Sequence, residues 1–257
     1  MNEFIEANRE STNLTIQRSP AMSSKKSALI ATFASLLSLA VIALPSAALA
    51  YSAAGDFSST SNPNGAWSYG YSYGVGSPFS LDTTNTASLA GLALNGWMGN
   101  LNPAPGANWP YVMQNSTAHP VTNNLTTVYQ PGQLGLLGAS SNEDCVVRWT
   151  APFSGSFSIA ATFSRLDTVF GSSAHAYILH NGGSIFNSFV SPGPVSFSGL
   201  QSVLAGDTID FVVDNANTGP NGNSTGLSAT IVPEPTTVAL VGMAFGCLFS
   251  LRLLKRK

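Results

Sequence analysis

The sequence predicts an all-β protein: a single β-sandwich or jelly-roll ectodomain, flanked by an N-terminal signal peptide and a C-terminal transmembrane helix. Three observations predict it. Gly, Ser, Thr and Asn make up 80 of the 182 residues between positions 51 and 232, a composition typical of short strands joined by turns. No segment of this region keeps a helical period for long. An uncharged apolar stretch beside basic residues lies near each end of the chain.

The charge distribution excludes several classes of protein. Only 9% of the residues are charged, against ~25% in an average soluble protein. Residues 51–232 contain eight Asp or Glu, two Arg and no Lys, a net charge of −6 with His neutral. Nucleic-acid binding through a basic patch is therefore excluded for this region.

The N-terminal segment has the pattern of an export signal. A pair of lysines precedes the apolar residues 28–44, and a small-x-small site follows at Ala50. This pattern predicts a signal peptide over residues 22–50 that is cleaved after Ala50. In residues 1–21 the glutamates outnumber the bases, unlike the start of a signal peptide, so we interpret them as a non-native extension before a start at Met22.

The strand pattern of the ectodomain is read from alternation of apolar and polar residues. Residues 145–150, 157–163 and 207–214 each alternate with a period of two. A hairpin is predicted at 181–183, because the Asn-Gly-Gly sequence tolerates positive φ. Leu227, Ala229 and Ile231 alternate in the last predicted strand, which completes residues 51–232. Strands at this spacing favour a sandwich.

The C-terminal segment predicts a short membrane span. Residues 236–251 are uncharged and follow Pro233, Glu234 and Pro235. As a helix these 16 residues span about 24 Å, slightly less than a hydrocarbon core of ~30 Å. We therefore extend the predicted helix to residues 236–254. Basic residues that should stay in the cytoplasm close the chain: Arg252, Lys255, Arg256 and Lys257.

This C-terminal combination resembles the PEP-CTERM sorting tail, a family also labelled the ice-binding protein C-terminal domain. The resemblance covers residues 233–257, with Pro233, Glu234 and Pro235 as the motif. It implies insertion in the inner membrane in transit, recognition and processing by an exosortase-type enzyme, and sorting to the cell surface or extracellular matrix. It does not imply that the protein binds ice.

Parts of the ectodomain also resemble bacterial surface proteins. Residues 62–70, 147–152 and 206–211 are similar to segments that recur in such proteins, many of which resemble carbohydrate-binding jelly rolls. The resemblance transfers no binding residue to this chain.

Aromatic residues are the candidates for glycan binding. Trp97, Trp109 and Tyr111 lie in segments rich in Gly, Asn and Pro, and we expect loop aromatics there to offer platforms for sugar rings. A second set alternates with small residues and so shares one strand face, either buried or exposed: Trp67, Tyr69, Tyr71 and Tyr73.

A structural calcium ion is a further hypothesis, and no other cofactor is expected. Asp207, Asp210 and Asp214 lie near an Asn- and Gly-rich segment, residues 215–224, and Ca²⁺ prefers such oxygen ligands. Solvated turn residues are the alternative, because the spacing matches no EF-hand.

Catalytic motifs are not apparent in the sequence. Glu143 is the only Glu in residues 51–232, and the chain has neither a Gly-x-Ser-x-Gly nor a His-Glu-x-x-His motif. Cys145 has acidic neighbours, which oppose an active thiolate, so we expect a buried core residue. No catalytic residue is predicted.

Three functions remain open at this point. The leading interpretation is an exported, non-enzymatic surface or matrix protein, structural or adhesive in extracellular polysaccharide. The second is a carbohydrate-binding module that uses exposed aromatics. The third is a divergent glycan hydrolase, which would need two positioned carboxylates.

Overall fold

A computed structural model describes residues 50–88, 91–99, 110–138, 143–167, 169, 174–191, 193–214 and 223–235. Within these ranges every helix or strand element is a strand, which confirms the all-β prediction. Trp109 and the predicted membrane helix, residues 236–254, lie outside the described residues, as does the signal peptide before Ala50.

The strands are numbered in chain order. They are β1 (Tyr51–Ser52), β2 (Trp67–Tyr73), β3 (Ser80–Leu81), β4 (Thr84–Thr86), β5 (Leu94–Met98), β6 (Tyr111–Asn115), β7 (Val121–Asn123), β8 (Thr127–Tyr129), β9 (Leu134–Leu137), β10 (Glu143–Thr150), β11 (Gly155–Arg165), β12 (His175–His180), β13 (Gly183–Phe189), β14 (Val195–Val203), β15 (Thr208–Asp214) and β16 (Thr225–Pro233).

Two large antiparallel sheets are formed. Sheet A has eight strands in the order β14-β11-β16-β9-β6-β5-β4, with β1 also paired to β16. Sheet B has six strands in the order β13-β12-β15-β10-β2-β3. A separate pair, β7 and β8, packs on a smaller cluster that includes Tyr111 and Met113.

One apolar core joins the two sheets. The inner positions of β10, Cys145, Val147 and Trp149, meet residues of sheet A such as Phe157 and Ile159 in a single cluster. Because successive side chains on a strand point to opposite faces, these inner positions leave the even-numbered residues of β10 on the outer face. The arrangement is consistent with the predicted β-sandwich.

The alternation read from the sequence is confirmed in several strands. Residues 145–150 and 157–163 lie in β10 and β11, and residues 208–214 form β15. The predicted turn joins β12 to β13, where Asn181 and Gly182 have φ values of 49° and 80°.

The aromatic row of β2 divides between core and surface. Trp67 and Tyr69 are buried in the core. Tyr73, at the end of the strand, is 57% exposed. Both outcomes left open by the sequence therefore occur along one strand, because β2 extends past the edge of the core.

Cys145 is fully buried, as predicted, and its Sγ donates to the carbonyl oxygen of Tyr111 at 3.0 Å. Burial raises the pKa of this thiol well above its usual range. The side chain therefore behaves as a small core residue.

The core lies entirely between Ala53 and Ile231. The first and last strands meet within it, since Tyr51 pairs with Ile231. Among the described residues, every buried member of this core cluster therefore lies within a fragment of residues 51–232. None of the described residues belongs to a helix long and apolar enough to cross a membrane.

One aspartate, Asp82, is buried without a hydrogen-bond partner for its carboxyl group. Asp82 is 1% exposed, and neither carboxylate oxygen has a hydrogen-bond partner. Burial raises the pKa of Asp82 from 3.8 to about 7. Its ionisation in the folded state costs on the order of 4 kcal/mol at most.

Because the pKa of Asp82 is raised, we expect the free energy of unfolding to depend on pH in an unusual direction. Because the folded state holds the proton more tightly than the unfolded chain, the free energy of unfolding should fall as pH rises from about 4 to about 7. Asp82→Asn should reduce this fall by roughly half, since Asp144 has a similarly raised pKa. Urea unfolding of fragment 51–232 at several pH values measures it. Asp207→Asn is the control, and an unchanged slope in Asp82→Asn would contradict the prediction.

Candidate functional site

The outer face of sheet B carries a row of side chains across five strands. Register pairs Phe189 with His175, His175 with Asp214, and Asp144 with Ser72. Asp144 lies one step beyond the Cys145–Val213 pair, which places it beside Asp214. We call these five residues the outer row. At a strand spacing of ~4.8 Å it is about 19 Å long.

The row begins with an aromatic group that faces solvent. The His175 ring stacks on Phe189, with centroids 4.3 Å apart and an angle of 16° between planes. Tyr177, on the same face of β12, has its ring 4.3 Å from His175. Phe189 is 55% exposed, so this end offers a flat apolar surface.

A hydrogen-bonded chain links the aromatic group to the carboxylates. The Tyr177 hydroxyl lies 2.7 Å from His175 Nδ1 and donates to Asp214 Oδ2 at 3.3 Å. The backbone N–H of His175 donates to Asp214 Oδ1 at 3.2 Å. A phenol has one proton, so both hydroxyl contacts are satisfied when Nδ1 carries a hydrogen. Burial, then the charge of Asp214, raises the pKa of Tyr177 to about 12.

Asp144 is the recessed member of the row. It is 5% exposed, and its Oδ2 has no hydrogen-bond partner. Burial, followed by the charges of Asp214 and Glu143, raises the pKa of Asp144 to about 7. A buried carboxylate oxygen without a hydrogen-bond partner is costly.

A segment of the chain closes the row on one side. Residues 74–79, which we call the strap, join β2 to β3, and Gly76 approaches the carbonyl oxygen of Gly182 in the β12–β13 turn. The Phe79 ring packs on an apolar cluster of Val146, Leu179 and Val212. The strap therefore lies against the outer face of sheet B, and Gly70 leaves room for it, since a Cβ there would be 2.7 Å from the Phe79 ring.

An ion pair fixes the strap. Arg148 Nε and Nη2 donate to the two carboxylate oxygens of Asp210 at 2.7 and 2.8 Å. The guanidinium carbon of Arg148 lies 4.3 Å from the centre of the Phe79 ring. This two-point pair with a stacked ring holds Phe79 over the sheet.

Trp97 and Tyr111 are not exposed, which corrects the prediction of a loop platform. Both lie on strands and are buried. Trp97 Nε1 donates to the Ser58 carbonyl at 2.7 Å, and the Tyr111 hydroxyl lies 3.2 Å from Ser224 Oγ. Their flat faces are occupied by the protein's own packing. Trp109 lies outside the described residues.

The three aspartates proposed for calcium are not brought together. Asp207 accepts from the Leu204 N–H at 2.8 Å, Asp210 pairs with Arg148, and Asp214 belongs to the outer row. Four residues of strand separate Asp210 from Asp214 by about 13 Å. Among the residues described, no group of three or more His, Cys, Asp or Glu side chains could hold a metal ion.

The sequence analysis singled out one residue of the outer row, Asp214, and only as a candidate calcium ligand. The other four residues of the row were not predicted as site residues. The available signal was the alternation itself, since His175 and Tyr177 must face away from the core if Ala176 and Ile178 face it. The order of the strands in the sheet could not be deduced from the sequence. The outer row as a whole was therefore not predictable.

The ion pair under the strap gives a stability prediction. Asp210→Ala leaves the half-buried Arg148 guanidinium without its carboxylate and should lower the free energy of unfolding by about 2–3 kcal/mol. Asp207→Asn, which alters a contact with His180 that is less buried at its carboxylate than the Arg148–Asp210 pair, should cost clearly less. Denaturant unfolding of the two variants checks this, and equal losses would contradict a special role for Asp210.

Comparisons with known proteins give no family. The chain matches no protein-family model, and no curated protein matches it. Parts of it are similar to solved structures at low identity. Pika GITRL is 15% identical with a TM-score of 0.26, over 36% of this chain and 75% of that one.

Two further similar structures contain carbohydrate-binding modules. CBM51-2 with the INT domains of Clostridium perfringens ZmpB, solved in complex with GlcNAc, is 16% identical with a TM-score of 0.30, over 44% of this chain and 25% of that one. A family 35 module from an environmental isolate is 14% identical with a TM-score of 0.25, over 38% and 67% of the two chains. Likeness at this level assigns no residue of this chain a role.

Proposed function

We propose that residues 51–232 form a non-enzymatic glycan-binding module of an exported surface or matrix protein. The observation that carries the proposal is the outer row, in which an exposed aromatic group lies beside a recessed carboxylate. A sugar ring has an apolar C–H face and an edge of hydroxyl donors. Phe189 and His175 suit the face, and Asp144 and Asp214 suit the donors.

The charge of the site narrows the class of glycan. Burial is the main cause of the raised pKa of Asp144, and the nearby charges of Asp214 and Glu143 raise it further. The whole module has a net charge of −6 and no lysine. Uronate or sulfate polymers would be repelled from this face. Neutral glycans and glycans with free amines are the favoured ligands.

A divergent glycan hydrolase is the second candidate, because Asp144 and Asp214 are adjacent carboxyls on neighbouring strands. A pair of this kind can act as acid and base when the two pKa values differ. However, both oxygens of Asp214 already accept hydrogen bonds from His175 and Tyr177. This engagement favours a fixed binding group over a nucleophile.

Binding by glycan array and titration calorimetry tests the module. Asp144→Asn and Phe189→Ala in fragment 51–232 should each weaken binding about 10-fold or more, from the loss of a charged acceptor or of a stacking surface. Asp207→Asn and Phe153→Ala are matched controls outside the row and should bind as the wild type does. Retention of full affinity in both row variants would refute the site.

The same samples separate binding from hydrolysis. A binding module leaves the oligosaccharide intact after long incubation, as judged by mass spectrometry. Shortened products that disappear with Asp144→Asn would establish the hydrolase instead.

We further propose that the module is exported through the signal peptide at residues 22–50 and sorted through a PEP-CTERM tail at residues 233–257. Two observations support this. The first strand begins at Tyr51, directly after the predicted cleavage site. The last strand ends at Pro233, and the Glu234 N–H donates to the Ser156 carbonyl at 2.8 Å. The motif thus adjoins the folded module on one side and the predicted span on the other.

Processing of the tail has a direct test in the native host. Replacing Pro233, Glu234 and Pro235 by Ala should leave the protein in the membrane fraction at the mass of the unprocessed tail. A wild-type protein that leaves the membrane fraction with a shorter C-terminus is the expected result. Recovery of wild-type protein with residues 236–257 intact would contradict processing by an exosortase-type enzyme.

A further inference from the structure

The two sides of the sandwich end in very different strands. On one side the sheets end in β3 and β4, which are two and three residues long. On the other side they end in β13 and β14, of seven and nine residues. Short edge strands protect a sheet from pairing with another chain, whereas long ones invite it.

The edge at β14 is regular along its whole length. It pairs with β11 through nine consecutive residue pairs, from Val195 with Phe163 to Val203 with Gly155, without a bulge. No other strand among the described residues pairs with β14. Alternate backbone N–H and C=O groups of β14 therefore point away from sheet A with no partner strand.

Strand β14 lacks the bulge, the charges and the proline that usually block an edge, whereas β13 has a register shift against β12 beside Ile178 and Leu179. Neither β13 nor β14 contains Lys, Arg, Asp, Glu or Pro, the residues with which natural proteins discourage edge pairing. The whole segment of residues 181–206 has no charged residue. Two copies of a domain with a net charge of −6 can approach there without bringing carboxylates together.

The sequence of β14 is complementary to itself in the antiparallel direction. Its nine residues read Val-Ser-Phe-Ser-Gly-Leu-Gln-Ser-Val. A two-fold axis at Gly199 would place Val195 opposite Val203 and Ser196 opposite Ser202 of a second copy. Residues that face the core in one copy would meet core-facing residues of the other, because the paired positions have the same parity.

The exposed side chains fit such a pairing. Leu200, on the outer face of β14, is 60% exposed and would lie opposite Ser198 of the second copy. Phe197 covers Gly199 on the inner face, where a Cβ would be 2.7 Å from its ring. At the two-fold axis the two β14 strands would therefore approach each other through the backbone of Gly199 in each copy.

We propose that β14 pairs antiparallel with β14 of a second copy of this chain, so that sheet A continues across a two-fold axis. The contact is about 30 Å long and smaller than a standard interface of ~800 Å² per partner. The association of two copies is therefore weak. It forms where the protein is concentrated, as on a surface or in a matrix. This association is independent of the glycan site and needs no glycan.

Sedimentation of fragment 51–232 without glycan tests the pairing. The wild type should show a monomer–dimer equilibrium that shifts with concentration. Leu200→Lys and Ser198→Lys should be monomeric, because each places a charge at the centre of the shared ladder. Ser228→Lys is the control, since it adds the same charge to an exposed position of the interior strand β16, and it should dimerise as the wild type does.

Cross-linking tests the register. Ser196→Cys and Ser202→Cys, prepared as separately tagged proteins and mixed, should form a disulfide with each other far more than with themselves. The native Cys145 is buried and gives no background. A monomer at all concentrations, a dimer insensitive to Leu200→Lys, open-ended larger species, or cross-links without this preference would each overturn the proposal.

Discussion

The position of every candidate group depends on the aromatic packing between the two sheets. Strands β10 and β11 follow each other along the chain but belong to different sheets. The rings of Trp149 in β10 and Phe157 in β11 meet with centroids 5.0 Å apart. Tyr51 packs against Trp149 from β1 at 5.5 Å. With Trp149 and Val147 held inward, Arg148 and Asp144 must lie on the outer face. The packing of the core therefore determines which side chains of sheet B lie on its outer face.

The features of the fold that could be predicted from the sequence are those that depend on residues close together in the chain. The alternation of residues 145–150 and the turn at Asn181 are local properties, and they were read correctly. Trp97 was misassigned because Asn95 and Gly96 beside it suggest a loop. In the fold Gly96 lies in a strand, and the backbone of Val112 packs where its side chain would be. The order of strands in a sheet depends on contacts distant in sequence, so the outer row was not visible.

The two acids with strongly raised pKa values have different settings. Asp144 lies between Asp214 and Ser72 in the outer row, on the outer face of sheet B. Asp82 is buried, and no hydrogen-bond donor contacts its carboxylate oxygens. The raised pKa of each acid lowers stability near neutral pH, and we propose a binding role for Asp144 alone. We find no structural reason for a carboxyl at position 82.

The position of the last strand, β16, which pairs with the first strand, β1, has a mechanical consequence. The tail leaves the domain from β16, which lies between β11 and the strands β1 and β9. β16 pairs with β11 through nine residue pairs, from Thr225 with Arg165 to Pro233 with Phe157. In a protein that is anchored by the proposed tail and holds a polymer on the proposed site of sheet B, tension between the two would pull β16 along its own axis. The hydrogen bonds of both its neighbours would then bear the load together rather than break one at a time.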